Sequence, residues 1–312
     1  MTLTNIRFPE DNPFYRIKVR HIFGCFFLLS IGIYFQIAMI GNTPGIQFDS
    51  EEPLVNEIVG IYLVILILAL VWRQCRLGVI EIKYLVGKVP YHYQWLPLVG
   101  LTIANVVFSI GAFYIFYYPL SFIVPYFVEK ILNDHRNTSI LITASKTFFP
   151  ALYYLILAID RCAISPIFGG FISIFIIHIW AARWGNIRPI IAIFMLDIIF
   201  LNPDFMSNII AILMYVILYA KTRSLLVVII FDSLTNIIST IGNLLGTVVV
   251  DNQTGSTLDI FRSQVQLGVL LFVVSAPWVI GFIYKNWSVL KGPLPYFANA
   301  SEAEKIKADS ET

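Results

Sequence analysis

TFFPALYYLILAIDRCAISPIFGG, residues 147–170, and LLVVIIFDSLTNIISTIGNLL, residues 225–245, decide how this chain is read. At 1.5 Å per helical residue, each stretch is long enough to cross a hydrocarbon layer of about 30 Å. Each also carries polar groups where a bilayer makes them costly: Asp160 and Arg161 in the first, Asp232 and Asn236 in the second. Between them lie His178 and Asp197, also set among Ile, Leu, Val, Phe and Ala. An ionisable residue at bilayer depth is a functional-site hypothesis by default.

The composition agrees with a membrane environment. Of the 312 residues, 58% are hydrophobic and only 13% are charged, and the mean hydropathy is +0.79. Soluble domains carry about 25% charged residues, so a surface this poor in charge belongs in lipid, where helices satisfy their own backbone groups. The fold class expected is all-α, a polytopic transmembrane helix bundle of about eight spans. Its constant partner is the lipid bilayer, and no nucleic-acid motif is present. Cys25, Cys75 and Cys162 are scattered, form no CxxC pair and read as small apolar fillers. The first apolar run, near Ile22, follows a polar, basic arm and is too long for a cleavable signal, so it reads as a retained span.

In chain order, residues 1–21 form a cytoplasmic arm, and residues 22–146 hold the first spans and interfacial connectors. Spans are expected at about 22–40, 54–72 and 97–117. An interfacial segment broken at Pro119 and Pro125 should fill 119–146. Residues 147–246 form the core. Span four covers about 147–170, with Pro166 offering a bend. Residues 171–184, with His178, Trp180, Arg183 and Trp184, read as a helix moving out to the interface. Spans five to seven fall at about 189–201, 207–220 and 225–245. Residues 247–285 supply an outer loop and span eight (about 267–284), and 286–312 form a tail whose end is expected to be disordered.

The positive-inside rule tests this count. With the N-terminus inside, Arg7, Arg16, Lys18, Arg20, Arg73, Arg76, Lys83, Lys88, Arg183, Arg188, Lys221, Arg223, Lys285, Lys291, Lys305 and Lys307 all fall on the cytoplasmic side. Lys130, Arg136, Lys146 and Arg262 fall outside. Both termini are therefore expected to be cytoplasmic.

Asp232, Asn236, Ser239, Thr240 and Asn243 recur at spacings of three and four, so they share one helix face. That face is either interhelical glue, at about 1 kcal/mol or less per contact, or the lining of a site. Asp160 and Arg161 are adjacent, so on an α-helix their side chains diverge. Arg161 is instead expected to reach Asp197 or Asp232 on a neighbouring span. Asp49, Glu51, Glu52 and Glu57 read as solvated or interfacial, and His178 as a packing residue. The candidate polar site is Asp160, Arg161, Asp197, Asp232 and Asn236. No metal-ligand spacing is present, and no cofactor is expected.

Three runs between residues 147 and 236 carry a family likeness: PIFGG at 166–170, WAARWGNIRP at 180–189, and YAKTRSLL at 219–226 followed by Asp232 and Asn236. In this order they resemble the CAAX-protease and bacteriocin-processing (CPBP, or Abi) family of intramembrane metalloproteases, in particular its bacterial members. PIFGG resembles the end of the family's EExxFRG motif, and the last run resembles a motif with His followed four residues later by Asn. The GKVP connector at 87–90 fits more loosely. The resemblance implies a helical bundle in a bacterial plasma membrane or thylakoid. In active relatives it implies a zinc ion held by two glutamates and two histidines, which activates water for CAAX-type peptide processing. Here the motif's glutamates fall on Ile164 and Ser165, its arginine on Gly169, the first histidine near Phe200 and the second on Asp232. Phe168, Gly170 and Asn236 match. No catalytic residue is expected from that set, because a metal-activated water needs ligands and a general base needs a titratable group.

Three functions follow as expectations. The first is a non-catalytic pseudo-protease that keeps the frame and binds a membrane protein or peptide. The second is a small-solute transporter or channel lined by the polar residues. The third is an active metalloendopeptidase with a site rebuilt from Asp232, Asp197 and His178.

Overall fold

The computed structural model describes residues 12–17, 53–137, 143–144, 147–185, 205–250, 256–292 and 294–311, together with positions 24, 27, 31, 188, 189, 191 and 192. Among them the chain is all-helical, with no strand. A 3-10 turn at Pro13–Arg16 precedes α1 (Pro53–Leu77), the short α2 (Ile82–Val86), α3 (Trp95–Ile123) and α4 (Pro125–Asn137). Next come α5 (Pro150–Ile159), a π-helical turn (Asp160–Ile164) and α6 (Ser165–Trp184), which follow one another without a break. The chain ends with α7 (Phe205–Thr222), α8 (Leu225–Val250), α9 (Thr257–Ser263), α10 (Val265–Asn286), a 3-10 turn (Trp287–Lys291) and α11 (Pro295–Glu311).

Among the described residues, five helices are long and apolar enough to cross a membrane: Pro53–Leu77, Trp95–Ile123, Pro150–Arg183, Leu225–Asn243 and Val265–Lys291. A shorter apolar helix covers Asn208–Thr222. The arrangement is compatible with a multi-pass membrane protein. It overlaps the sequence-derived spans two, three, four, six, seven and eight, whereas most of spans one and five lies outside the described residues.

One expectation needs correction: α3 runs through Pro119 to Ile123, so the break comes only at Pro125, which opens α4. Residues 171–184 continue α6 and form its most enclosed part, where Ile174, Phe175, Ile177, His178, Ile179 and Ala181 are buried against Met214, Leu218 and Tyr219 of α7 and Leu225, Val228 and Phe231 of α8. Pro295–Glu311 of the tail forms a helix.

Lipid tails are as apolar as leucine, so helices in a bilayer associate through close packing more than through a hydrophobic drive. The α3–α10 pair, the most extensive contact between helices, is built this way. Gly111 and Gly268 sit in its seam. A Cβ on Gly111 would lie 2.5 Å from the Phe272 backbone nitrogen, and one on Gly268 would run into the Tyr114 side chain. Phe108 and Phe272 pack at 4.8 Å between ring centroids, and the Tyr114 hydroxyl donates to Gln264 at 2.8 Å.

The end of the bundle that holds His178 is closed by connectors from both ends of the sequence. Tyr219 donates to the Leu85 carbonyl of α2 at 2.9 Å. Asn299 of α11 donates to the Tyr84 carbonyl at 2.9 Å and to the Arg223 carbonyl at 3.0 Å. The Glu81 N–H donates to the Tyr296 hydroxyl at 3.3 Å. Gly87 turns at φ 63° with the Arg223 carbonyl against its Cα. A side chain there would be both strained and blocked.

The seam gives a direct test. Gly268→Ala should lower thermal stability in detergent by about 1–3 kcal/mol, the usual cost of overpacking. Gly281→Ala, where an added Cβ meets nothing within 4 Å, should leave stability unchanged or raise it slightly. Equal melting temperatures for the two variants would contradict the close seam.

Candidate functional site

The site begins with a missing donor. Pro166 has no N–H to give to the helix, and the π turn lies immediately before it. The carbonyl of Cys162, four residues earlier, is taken up by α8 instead: Ser233 Oγ donates to it at 2.9 Å and to its own Ile229 carbonyl at 2.9 Å. The extra residue per turn also changes which side chains align. Residues five apart on an α-helix are rotated by about 140°. Across the π turn they come together, and Ser165 Oγ donates to Asp160 Oδ2 at 2.8 Å. Such turns recur at functional sites.

Arg161 Nε lies 3.9 Å from Asp160 Oδ2, so the two adjacent residues do approach each other, against the expectation from regular helix geometry. The expected ion pair between Arg161 and Asp232 does not form. Asp160 is buried, and Arg161 is half-exposed. Glu57 of α1, read from sequence as solvated or interfacial, is half-buried and lies within electrostatic reach of both Asp160 and Arg161. The Tyr153 phenol interacts with Glu57 and Arg161. This upper cluster therefore draws on α1, α5 and the π turn.

A second cluster lies more than two turns further on, at Gly169 of α6. Asp232 of α8 is buried and lies within electrostatic reach of the Tyr215 phenol of α7. Its Oδ2 would be 3.0 Å from a Cβ on Gly169. The carboxylate thus occupies the room left by the missing side chain. Ser165 stands one turn from Gly169 on the same face. Asn236 stands one turn beyond Asp232 and is half-buried. Asp160, Ser165, Asp232 and Asn236 therefore mark a polar seam between α6 and α8, while Asp197 and Phe200 lie outside the described residues.

His178 belongs elsewhere. It lies nine residues from Gly169, about 14 Å along the helix, and is buried with its ring 4.9 Å from Phe14, 5.5 Å from Tyr219 and 6.3 Å from Tyr296. Its Nδ1 is 2.8 Å from the Ile174 carbonyl. It does not join Asp232.

Zinc can be tested against the donors at the positions where the resemblance implies it. Ile164 and Gly169 offer no ligand atom, Ser165 is bonded to Asp160, and Asp232 supplies a single carboxylate. A zinc site needs about three protein ligands. Among the described residues no three His, Cys, Asp or Glu side chains come together to hold a metal. The described donors at those positions do not make up a zinc ligand set.

No protein-family model, curated protein or solved structure matches the chain.

Two substitutions test this geometry by thermal unfolding. Asp160→Ala removes the acceptor for Ser165 and the counter-charge of Arg161, and should cost about 1–3 kcal/mol; Asp160→Asn, which can still accept from Ser165, should cost less. Ser233→Ala should cost about 1 kcal/mol by leaving the Cys162 carbonyl without its partner from α8. No change in either alanine variant would show that the π turn is not held this way.

Proposed function

We propose that this chain is a multi-pass membrane protein with the frame of a CPBP-type intramembrane protease and without its chemistry, and that it binds a membrane-embedded peptide or protein without cutting it. One observation carries the reading. Two of the positions onto which the family motifs fall, Gly169 on α6 and Asp232 on α8, are 63 residues apart in sequence and meet in space, with Asp232 Oδ2 3.0 Å from the place of a Gly169 Cβ. A third, Ser165, stands one turn from Gly169, and this closeness supports the reading. Yet they offer a hydroxyl, a hydrogen atom and one carboxylate, which cannot polarise a peptide carbonyl through a metal. What they can do is recognise. A buried carboxylate and a half-buried amide one turn apart suit hydrogen-bond donors on a helix entering the seam. A bacterial plasma membrane or thylakoid is the setting that the resemblance implies.

A small-solute path is the second reading. It is favoured by the charged group Glu57, Asp160 and Arg161 beside the π turn, since such turns recur at functional sites and ionisable residues at bilayer depth mark solute pathways.

The test combines metal content with cross-linking on detergent-purified protein and in its native membrane. Zinc should be substoichiometric in the wild type and unchanged in Asp232→Ala. A photo-reactive residue at position 165 should cross-link to a membrane polypeptide that stays intact, and Asp232→Leu should abolish the cross-link. Near-stoichiometric zinc that falls in Asp232→Ala would overturn the reading in favour of a protease. Solute flux in proteoliposomes that depends on Asp160 would favour the transporter.

A further inference from the structure

The last candidate span presents a different kind of surface at its basic end. Ile280, Ile283 and Tyr284 of α10 and Trp287, Ser288 and Lys291 of the following 3-10 turn line an open groove of about 520 Å³. Their order along the axis is chemical as well as spatial. The two isoleucines lie deepest in the span. Tyr284 and Trp287, both exposed, follow at the level where amphipathic rings settle in a bilayer interface. Ser288 and Lys291 come last. In a 3-10 turn, residues three apart eclipse one another, so the Ser288 hydroxyl and the Lys291 ammonium stand in one line above the apolar wall. Lys291 pairs with no carboxylate among the described residues, and neither does Lys285 six residues back.

We infer that this groove binds one anionic phospholipid, with an acyl chain along Ile280, Ile283 and Trp287 and the headgroup phosphate at Ser288 and Lys291. The sequence apolar wall, ring, hydroxyl, ammonium repeats the sequence acyl chain, glycerol ester, phosphate. A zwitterionic lipid would bring its own cation to Lys291. A free phosphate ion would make no use of the wall. A second copy of the chain would have to meet an unpaired ammonium with a matching acid.

The test uses the full chain released from mixed phosphatidylglycerol and phosphatidylcholine vesicles, with bound lipid counted by native mass spectrometry. The wild type should retain phosphatidylglycerol in about fivefold preference, the value of one lysine near a membrane surface. Lys291→Ala should bring the preference to parity at an unchanged melting temperature, and Lys291→Arg should keep it. Ser288→Ala, a smaller change at the same place, should lower it in part. Trp287→Ala should reduce retention of both lipids. Equal retention of the two lipids by the wild type, or a preference that survives Lys291→Ala, would overturn the site. Loss of the preference on adding inorganic phosphate would assign Lys291 to free phosphate instead, and dimers in place of lipid adducts would assign the face to self-association.

Discussion

Pro166 has no hydrogen to give to the helix it stands in, and much of the polar architecture is an answer to that deficit. In water the orphaned carbonyl would be solvated. In a bilayer an unsatisfied backbone group costs several kcal/mol. The chain meets the cost in two ways. The helix widens into a π turn over Asp160–Ile164, and Ser233 on α8 reaches across to the Cys162 carbonyl. Each has a consequence for the seam. The widening brings Ser165 beneath Asp160 and lets Arg161 approach its neighbour. The reach of Ser233 fixes the height of α8 against α6, and with it the meeting of Asp232 and Gly169, one residue along α8 and about two turns along α6.

The two halves of the molecule are held by different means. Around the π turn, contacts are few, polar and specific. Toward the other end, α6, α7 and α8 enclose large side chains completely, and the end is sealed by Phe14, Tyr219 and Tyr296 around His178. The imidazole, set among these rings, behaves as a core residue bonded to the Ile174 carbonyl. The α3–α10 seam is a third device, in which Gly111 and Gly268 let backbone approach side chain. Rigidity therefore lies below the seam and along one flank, and the polar groups sit where the enclosure thins.

Much of this could be read in the sequence, because hydropathy over long runs reports burial in lipid directly. Six of the expected spans coincide with described helices, and Asp160, Arg161, Asp232 and Asn236 stood out because charge and amide are rare in such runs. The failures share a cause. The expectation that Asp160 and Arg161 diverge assumed a uniform 100° per residue, and nothing in local composition announces an extra residue in one turn, although Pro166 was a sign of trouble in the ladder. Glu57 was taken with its acidic neighbours Glu51 and Glu52, yet it stands a turn inside an apolar helix, which was signal enough to set it apart. Tyr215 looked like one aromatic among many until α7 was placed beside α8. The enclosure of residues 171–184 could not be read from His178, Trp180 and Arg183, whose composition is interfacial. What covers them comes from Phe14 and Tyr296, more than 160 and more than 110 positions away in the chain, and no window along the sequence can see that.

The contact that seals His178 also constrains how the chain is threaded. Phe14, before the first helix, and Tyr296, after the last candidate span, touch ring to ring with centroids 4.9 Å apart. All five of the long apolar helices lie between these two rings in the sequence. The contact therefore ties the chain ahead of α1 to the chain behind α10, and both meet His178 of α6. A change at any one of the three rings would loosen the hold of the other two, so segments nearly three hundred residues apart share a single clasp.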